Sequence, residues 1–387
     1  MTFKDKLHQI KTQGLYRTTR RIDSDHGRII RISGRTMINF ASNNYLGLAG
    51  DPRLKKAAAK AIQDYGWGSG ASRLMSGTNR LHEELEERIA AFKNTESAIL
   101  FNSGYTANVG AIAAIAGKET MIFSDKLNHA SLVDGIRLSK AGFRVFRHID
   151  MMHLEELLSS NTGKKMIVTD TIFSMDGNIA PIEQIIEIAG RHNAILYLDD
   201  AHGTGTSANL FGFFPVKSPE KNFLKEKAKT EQLILMGTLS KALGSTGAFI
   251  TGCKPLVEYL RNLTRSFIYT TSLPPAACAA SIAAIEIIEK EGDTLQQKLS
   301  ENCRHLGNGL KKLGITADAA TPIFPIITGE LKKTLKVAAQ LERLGIFAPA
   351  VRPPTVSADT CRIRISLTAE HSQKDIDILL EALYKLL

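Results

Sequence analysis

Short apolar runs alternate with helical patterns along the middle of the chain. Leu81, Leu85 and Ile89 recur every four residues, which places them on one helix face. Ile182–Ile188 predicts another helix, with Pro181 at its first position. The runs between such patterns are mostly apolar, as in strands covered on both faces, so the alternation predicts an α/β fold with a mainly parallel sheet. The predicted strands are Ala98–Phe101, Thr120–Phe123, Arg144–His148, Met166–Thr169, Ala194–Leu198, Leu233–Gly237 and Ala248–Thr251.

After Pro274-Pro275 the pattern changes to longer helices and fewer strands. We therefore expect an N-terminal segment at 1–45, a large domain at 46–275 and a smaller α+β domain at 276–387. The polar stretch Lys217–Gln232 lacks an apolar stripe and predicts an exposed loop or a short surface helix. The elements predicted in the smaller domain are helices at Ala276–Glu291, Leu295–Leu313 and Lys374–Leu386 and strands at Ile323–Ile327 and Arg362–Leu367.

The composition is that of a globular protein, with 387 residues of which 43% are hydrophobic and 23% charged. The four cysteines are far apart, which argues against zinc sites and redox pairs. The charged N-terminus has no apolar core of a signal peptide, so we expect a cytoplasmic protein without a membrane span. The net charge of +10 is typical of a solvated surface or of attraction to an acidic partner. No nucleic-acid recognition motif is present.

The segment GTLSKALG at 237–244 directly follows an apolar strand. It differs from a phosphate-binding P-loop, which needs a glycine immediately before the lysine. A desolvated amine at Lys241 can lose its proton and form a Schiff base with a carbonyl, and the hydroxyls of Thr238 and Ser240 can bind a phosphate. An ordinary surface lysine is the alternative at this point.

The segment LDDAHG at 198–203 also follows an apolar strand, so its carboxylates lie where open α/β sheets bind ligands. Asp199 could hold a cationic ring nitrogen, which a pyridine cofactor needs to act as an electron sink. The alternatives are a helix N-cap for Asp200 and a core position for His202.

Two further loops carry candidate groups. The segment NSGYTAN at 102–108 lies between a strand and a helix, where free N–H groups and the helix dipole bind anions. The segment DKLNHAS at 125–131 brings a histidine to a helix start, where its ring could stack on a planar ligand. Taken alone, the first segment could be a plain strand–helix turn, which is common, and a surface histidine is the favoured interpretation of the second. Together, the four segments supply the parts of a pyridoxal-phosphate site.

The chain resembles the α-oxoamine synthases, a family of fold-type-I pyridoxal-phosphate transferases, nearly from end to end. The family's fold is a three-layer α/β/α large domain with a mainly parallel sheet and a smaller α+β C-terminal domain. The motifs that carry the resemblance are NFASNNYLGLAG at 39–50, GSGASRLMSGT at 68–78, FNSGYTAN at 101–108, NHASLVDG at 128–135, FSMDGNIAPI at 173–182, LDDAHGTG at 198–205, GTLSKALG at 237–244, YTTSLPP at 269–275, RPPTV at 352–356 and RIRISLTAEH at 362–371.

The resemblance assigns roles to matching residues. It implies that Lys241 forms the Schiff base and removes the α-proton of an amino acid, that Asp199 pairs with the pyridine nitrogen, and that His129 stacks on the ring. It also places His202 and Ser174 beside the cofactor's phenolic oxygen.

Further roles concern the phosphate and the substrates. The resemblance implies that Gly104, Tyr105 and Thr238 hold the phosphate, and that Arg364 clamps the amino-acid carboxylate with its guanidinium fork. His129 is also expected to meet the substrate. Asn44 and Thr355 are also expected to contact substrate. An arginine near the N-terminus of the family contacts the acyl substrate; Tyr16 and Arg17 compete for that position here, and Arg17 is assigned to it.

The family catalyses decarboxylative condensation of an amino acid with an acyl thioester. GSGASRLMSGT and RPPTV favour the biotin-pathway branch, which uses L-alanine and pimeloyl-CoA or a pimeloyl carrier protein. Branches that use glycine or serine with another acyl-CoA, and an aminotransferase of the same fold, stay open. The resemblance implies a homodimer with a shared active site, in which Thr270 and Thr271 serve the neighbouring subunit's phosphate.

Overall fold

The computed structural model describes residues 1–206 and 230–387. Most of the predicted polar loop at Lys217–Gln232 therefore lies outside the described residues. Those described form two compact units. Unit 1 comprises Met1–Gly50, Met175–Gly177 and Gln297–Leu387, and unit 2 comprises Asp51–Ser174 and Asn178–Gln296.

The helices and strands follow one another in the order that the sequence predicts for an α/β chain. The helices are α1 Phe3–Thr12, α2 Pro52–Tyr65, α3 Arg80–Lys93, α4 Gly104–Ile115, α5 Ala130–Ser139, α6 Met151–Ser159, α7 Ile182–Arg191, α8 Lys254–Leu263, α9 Arg265–Ile268, α10 Pro275–Lys312, α11 Leu331–Arg343 and α12 Gln373–Leu386. The strands are β1 Ile29–Ile32, β2 Arg35–Asn39, β3 Ser97–Phe101, β4 Thr120–Asp125, β5 Gly142–Phe146, β6 Lys164–Asp170, β7 Ile195–Asp199, β8 Leu233–Thr238, β9 Ala248–Gly252, β10 Ile323–Gly329, β11 Ile346–Phe347, β12 Ala350–Val351 and β13 Cys361–Ser366.

Unit 2 contains a seven-stranded sheet in the order β3-β9-β8-β7-β6-β4-β5. The strands from β8 to β5 are parallel, and β9 runs antiparallel to both β8 and β3. The seven strands predicted from the apolar runs are all present, and the mainly parallel sheet is confirmed.

The inner strands are buried at nearly every position. β8 and β9 have no exposed residue, and in β7 only Ile195 is partly exposed. Since successive side chains of a strand point to opposite faces, both faces must be covered. Each fully buried aliphatic side chain, such as Val168 or Ile234, contributes about 1.5–3 kcal/mol relative to an exposed one. β5 is an edge strand and is mostly exposed.

The parallel strands set the position of the site. Because β4, β6, β7 and β8 run in one direction, their carboxyl ends meet at one edge of the sheet. The last residues of these strands are Asp125, Asp170, Asp199 and Thr238. Four polar side chains are therefore brought to one edge by the sheet topology.

Two helix predictions need correction. The helices expected at Ala276–Glu291 and Leu295–Leu313 are one continuous helix, α10. Gly292 lies inside it, at a cost of about 1 kcal/mol relative to alanine, and buried residues on either side, such as Ile288 and Leu299, offset this. Pro181 is the residue before the first turn of α7, not its first helical residue.

Unit 1 contains two three-stranded sheets, β1-β2-β11 and β10-β13-β12. Residues 1–45, expected as a separate segment, are in the same unit as the C-terminal strands, because β2 pairs with β11. The boundary between the units falls inside α10 at Gln296, not at 275. Within the two described ranges, no helix is both long and apolar enough to cross a membrane.

Candidate active site

Asp199 ends β7 and is 3% exposed. Its Oδ2 accepts a hydrogen bond of 2.7 Å from Nδ2 of Asn108, and its Oδ1 accepts one of 3.0 Å from the backbone N–H of Ala201. The structure thus places a buried carboxyl group with two hydrogen-bond donors at the carboxyl edge of the sheet.

Lys241 lies in a tight loop after β8 and is half-buried. The loop closes on the carbonyl of Gly247, which accepts hydrogen bonds from the N–H of Leu239 at 2.9 Å and from the hydroxyls of Thr238 at 3.0 Å and Ser240 at 3.2 Å. Gly247 has φ +107°, and a Cβ there would lie 2.8 Å from a methyl carbon of Leu273. Only glycine suits this position, so Gly247 fixes the loop that carries the lysine.

His129 is the third predicted catalytic residue. It caps α5, and its Nδ1 lies 2.7 Å from the hydroxyl of Ser131. Burial lowers the pKa of the imidazole, the charge of Asp199 raises it and the charge of Lys241 lowers it. Since both charges act on the ring, the structure brings the three predicted catalytic residues into one cluster of unit 2.

Asp170 was not singled out from the sequence. It ends β6 opposite Asp199, and its Oδ2 accepts a hydrogen bond of 2.8 Å from the N–H of His129. Burial, and next the charge of Asp199, raise the pKa of Asp170 well above its ordinary value. Asp170 therefore holds the backbone of His129, and both causes of its raised pKa act against its charged form. Its signal was present, because MIVTD at 166–170 repeats the strand-then-aspartate pattern of ILYLD at 195–199.

The predicted phosphate residues lie at the start of α4 and the end of β8. The first N–H groups of α4, those of Gly104 and Tyr105, have no partner inside the helix. Tyr105 is exposed, and its hydroxyl donates to Asp134. The hydroxyl of Thr238 donates to Gly247, as described. The phosphate roles of these residues stay predictions.

His202 is buried in the turn that follows β7, and the hydroxyl of Thr206 donates to its carbonyl at 2.8 Å. Ser174 is half-buried and is the last residue of Asp51–Ser174, the first of the two segments of unit 2. Thr271, predicted to serve a second subunit, accepts a hydrogen bond of 2.7 Å on its carbonyl from Asn102. Its neighbour Thr270 is half-buried.

The predicted amino-acid clamp belongs to unit 1. Arg364 is 8% exposed on β13. Its Nη1 donates to the hydroxyl of Ser366 at 2.6 Å, and both Nη atoms lie 3.2 Å from Oδ1 of Asn43. Asn44, the next residue, is buried, and among the described residues its Nδ2 has no hydrogen-bond partner. A buried guanidinium and an unpaired amide suit a polar ligand.

Arg17 and the RPPTV segment are also held together in unit 1. Nη2 of Arg17 donates to the carbonyl of Pro353 at 2.6 Å, and Nη2 of Arg352 donates to the carbonyl of Tyr16 at 2.7 Å. Thr355 is exposed beside them. The choice between Tyr16 and Arg17 as the acyl contact stays open.

The family described as aminotransferase class I and II matches residues 35–383. The chain belongs to this family.

Relatives of this aminotransferase-class chain carry more specific names. The 8-amino-7-oxononanoate synthase of Geotalea daltonii is 44% identical over 387 residues, covering 99% of this chain and 96% of that protein. A high-resolution structure of SPT with a PLP internal aldimine has a TM-score of 0.90 and 27% identity, covering 99% of this chain and 96% of that one. The crystal structure of 8-amino-7-oxononanoate synthase from Francisella tularensis has a TM-score of 0.74 and 27% identity, covering 90% and 97%.

These similarities confirm the resemblance and the fold class predicted from the motifs. The site also contains a residue to which the sequence motifs gave no role. Asn108, on α4, is fully buried and links Asp199 to Ser131. It was visible only as the one amide in the apolar helix sequence GYTANVGAIAAI.

Proposed function

We propose that this protein is a pyridoxal-phosphate enzyme that condenses L-alanine with a pimeloyl thioester, releasing the carrier thiol, carbon dioxide and 8-amino-7-oxononanoate. The observation that carries the proposal is the cluster of Lys241, His129 and the buried Asp199 at the edge of the sheet. The relatives named 8-amino-7-oxononanoate synthase, at about 44% identity over nearly the whole chain, support the choice of reaction.

The residues present fit the cofactor. The buried carboxyl group of Asp199 suits a protonated pyridine nitrogen, and the amine of Lys241 suits an aldehyde. The unpaired N–H groups at the start of α4 suit a phosphate. When bound, the cofactor supplies an electron sink for the carbanion formed at the amino acid's α-carbon.

The chain's own residues orient the reactants and move one proton. The Nζ of Lys241 takes the α-proton of the amino acid and later returns a proton to that carbon. Asp199 would hold the pyridinium charge, and the ring of His129 would pack against the cofactor. His202 and Ser174 would hold the phenolic oxygen, and Gly104, Tyr105 and Thr238 would hold the phosphate.

The resemblance also assigns residues to the substrates. Arg364 binds the carboxylate of L-alanine through two parallel N–H groups. Asn44 and Thr355 contact the substrate, and Arg17 binds the acyl chain's terminal carboxylate. The net charge of +10 favours an anionic thioester, either CoA or a carrier protein.

We further propose that the enzyme acts as a cytoplasmic homodimer with a shared active site. Thr270 and Thr271 would then serve the phosphate of the neighbouring subunit. Exposed apolar side chains, such as those of Tyr269 and Met75, support a subunit interface in unit 2. Sedimentation of the purified protein tests the dimer.

The test of the function is replacement of Lys241. Lys241→Ala should abolish product formation from L-alanine and pimeloyl-CoA, measured by mass spectrometry, and should abolish the borohydride-trapped cofactor adduct. Lys118→Ala, which removes an exposed lysine of the same unit, is the matched control and should behave as the wild type. Turnover by the Lys241→Ala protein, or an adduct on another lysine, would falsify the proposal.

The same assay separates the rival reactions. Glycine or serine with acetyl-, succinyl- or palmitoyl-CoA should give less product than L-alanine with a pimeloyl thioester. An aminotransferase would instead convert the bound cofactor to its pyridoxamine form when an amino acid is added alone, which the proposed reaction does not require.

A further inference from the structure

A hydrogen-bond network with three fully buried members lies behind the candidate site and ends at His129. The hydroxyl of Tyr197 donates to Oδ1 of Asn108 at 2.8 Å. The Nδ2 of Asn108 donates to Oδ2 of Asp199 at 2.7 Å and to Oγ of Ser131 at 2.8 Å. The Oγ of Ser131 lies 2.7 Å from Nδ1 of His129. Tyr197, Asn108 and Ser131 are each 0% exposed.

The donors and acceptors of this network allow one arrangement around Asn108. The carboxylate of Asp199 only accepts, so the amide must turn its NH₂ toward it; the flipped amide would set two acceptor oxygens 2.7 Å apart. Burial, and next the charge of Asp199, raise the pKa of Tyr197 well above its ordinary value. The Tyr197 hydroxyl thus keeps its proton and donates it to the remaining amide oxygen.

The same donor and acceptor rules fix the hydrogen bonds of the His129 imidazole. The second N–H of Asn108 donates to Oγ of Ser131, so the hydroxyl proton of Ser131 is left to donate to Nδ1 of His129. The backbone N–H of Ser131 points to the same Nδ1 at 3.3 Å. An acceptor Nδ1 requires that the single ring proton sit on Nε2.

We propose that Asn108 is a positioning residue that orients two groups at once: its NH₂ group fixes the carboxylate of Asp199 and, through Ser131, holds His129 as the neutral Nε2–H tautomer. This deepens the proposed function, on which its consequence for catalysis rests. A neutral ring adds no positive charge against a pyridinium, and its Nε2–H is a defined donor. Burial, which lowers the pKa of His129, acts in the same direction.

The tautomer can be measured without cofactor. In apoprotein labelled with ¹⁵N-histidine, the His129 signals, assigned by their loss in His129→Gln, should show a protonated Nε2 and an unprotonated Nδ1 at neutral pH. Asn108→Leu and the milder Ser131→Ala should release this constraint and populate both tautomers. Ser131→Thr keeps the hydroxyl and should restore the wild-type signals. Val109→Ala, a half-buried neighbour on α4, is the matched control.

A second measurement reports the effect on the cofactor site. Asn108→Leu should weaken binding of pyridoxal phosphate to the apoprotein by about tenfold or more, as is typical when a residue that orients a ligand group is lost, while Val109→Ala should not. A proton on Nδ1 in the wild type, a charged His129 at neutral pH, or wild-type signals in both Asn108→Leu and Ser131→Ala would overturn the proposal. If the tautomer is as proposed but the wild type binds no pyridoxal phosphate, the proposed function fails and the positioning role of Asn108 stands.

Discussion

A buried ion pair behind the aspartate turn offers a test of how the site is held. Nζ of Lys93, the last residue of α3, lies 2.7 Å from Oδ2 of Asp200, and both side chains are 0% exposed. Asp200 also accepts hydrogen bonds from the hydroxyls of Thr171 at 2.7 Å and Thr204 at 3.0 Å. One carboxylate therefore joins α3, the end of β6 and the turn that carries His202.

Lys93→Met removes the cation and leaves the carboxylate buried. Breaking a buried pair in this way costs about 3–5 kcal/mol of unfolding free energy. The two threonine hydroxyls still donate to Asp200, so we expect the lower end, about 3 kcal/mol. This is a large part of the roughly 5–15 kcal/mol that stabilises a typical protein. The double variant Lys93→Met/Asp200→Leu leaves no charge of this pair buried. Its loss of unfolding free energy should therefore be smaller than the summed losses of the two single variants by about 1–3 kcal/mol.

Urea unfolding of the apoprotein at pH 7, followed by circular dichroism, measures these differences. Lys118→Met, at an exposed lysine, is the control and should change stability by no more than about 0.5 kcal/mol. A loss below about 1 kcal/mol in Lys93→Met, or strict additivity in the double variant, would show that the pair does not stabilise the turn.

Three further predictions concern other parts of the chain. Burial lowers the folded-state pKa of His371 from 6.5 to about 4. The free energy of unfolding should therefore be unaffected by this group above pH 6.5 and should fall by up to about 3 kcal/mol as the pH drops toward 4. Urea titrations at several pH values should show this fall in the wild type and a flatter dependence in His371→Gln. Arg364→Lys should raise KM for L-alanine about tenfold or more because lysine lacks the bidentate fork, whereas an unchanged KM would exclude the clamp. Gly247→Ala should destabilise the protein by about 1–3 kcal/mol, because φ is +107° and Leu273 lies in the way, and wild-type stability in thermal unfolding would contradict this.

Elements with a strong local pattern were predictable from the sequence. The apolar runs that became the inner strands, such as β7, β8 and β9, could be recognised because strands covered on both faces are apolar at nearly every position. The candidate residues Asp199, Lys241 and His129 could be recognised because each lies next to a predicted strand or helix. The helix α10 was divided wrongly, since a local pattern cannot show that tertiary burial around Gly292 outweighs the cost of a glycine.

Partners that are distant in sequence could not be predicted. Asn108 and Asp199 are 91 residues apart, and Lys93 and Asp200 are 107 apart, so no periodicity links them. Their meeting depends on the strand order of the sheet. The same applies to the pairing of β2 with β11, which places the N-terminal residues with the C-terminal strands.

The sequence by itself determined the class of the fold, the family and the reactive groups, because side-chain chemistry and hydrophobic periodicity are local properties. Only the tertiary structure decided which groups are charged, which donate and which accept. Asp170 is the clearest case, because burial and the charge of Asp199 raise its pKa together. Protonation depends on desolvation and neighbouring charges, and both exist only once distant strands are packed side by side.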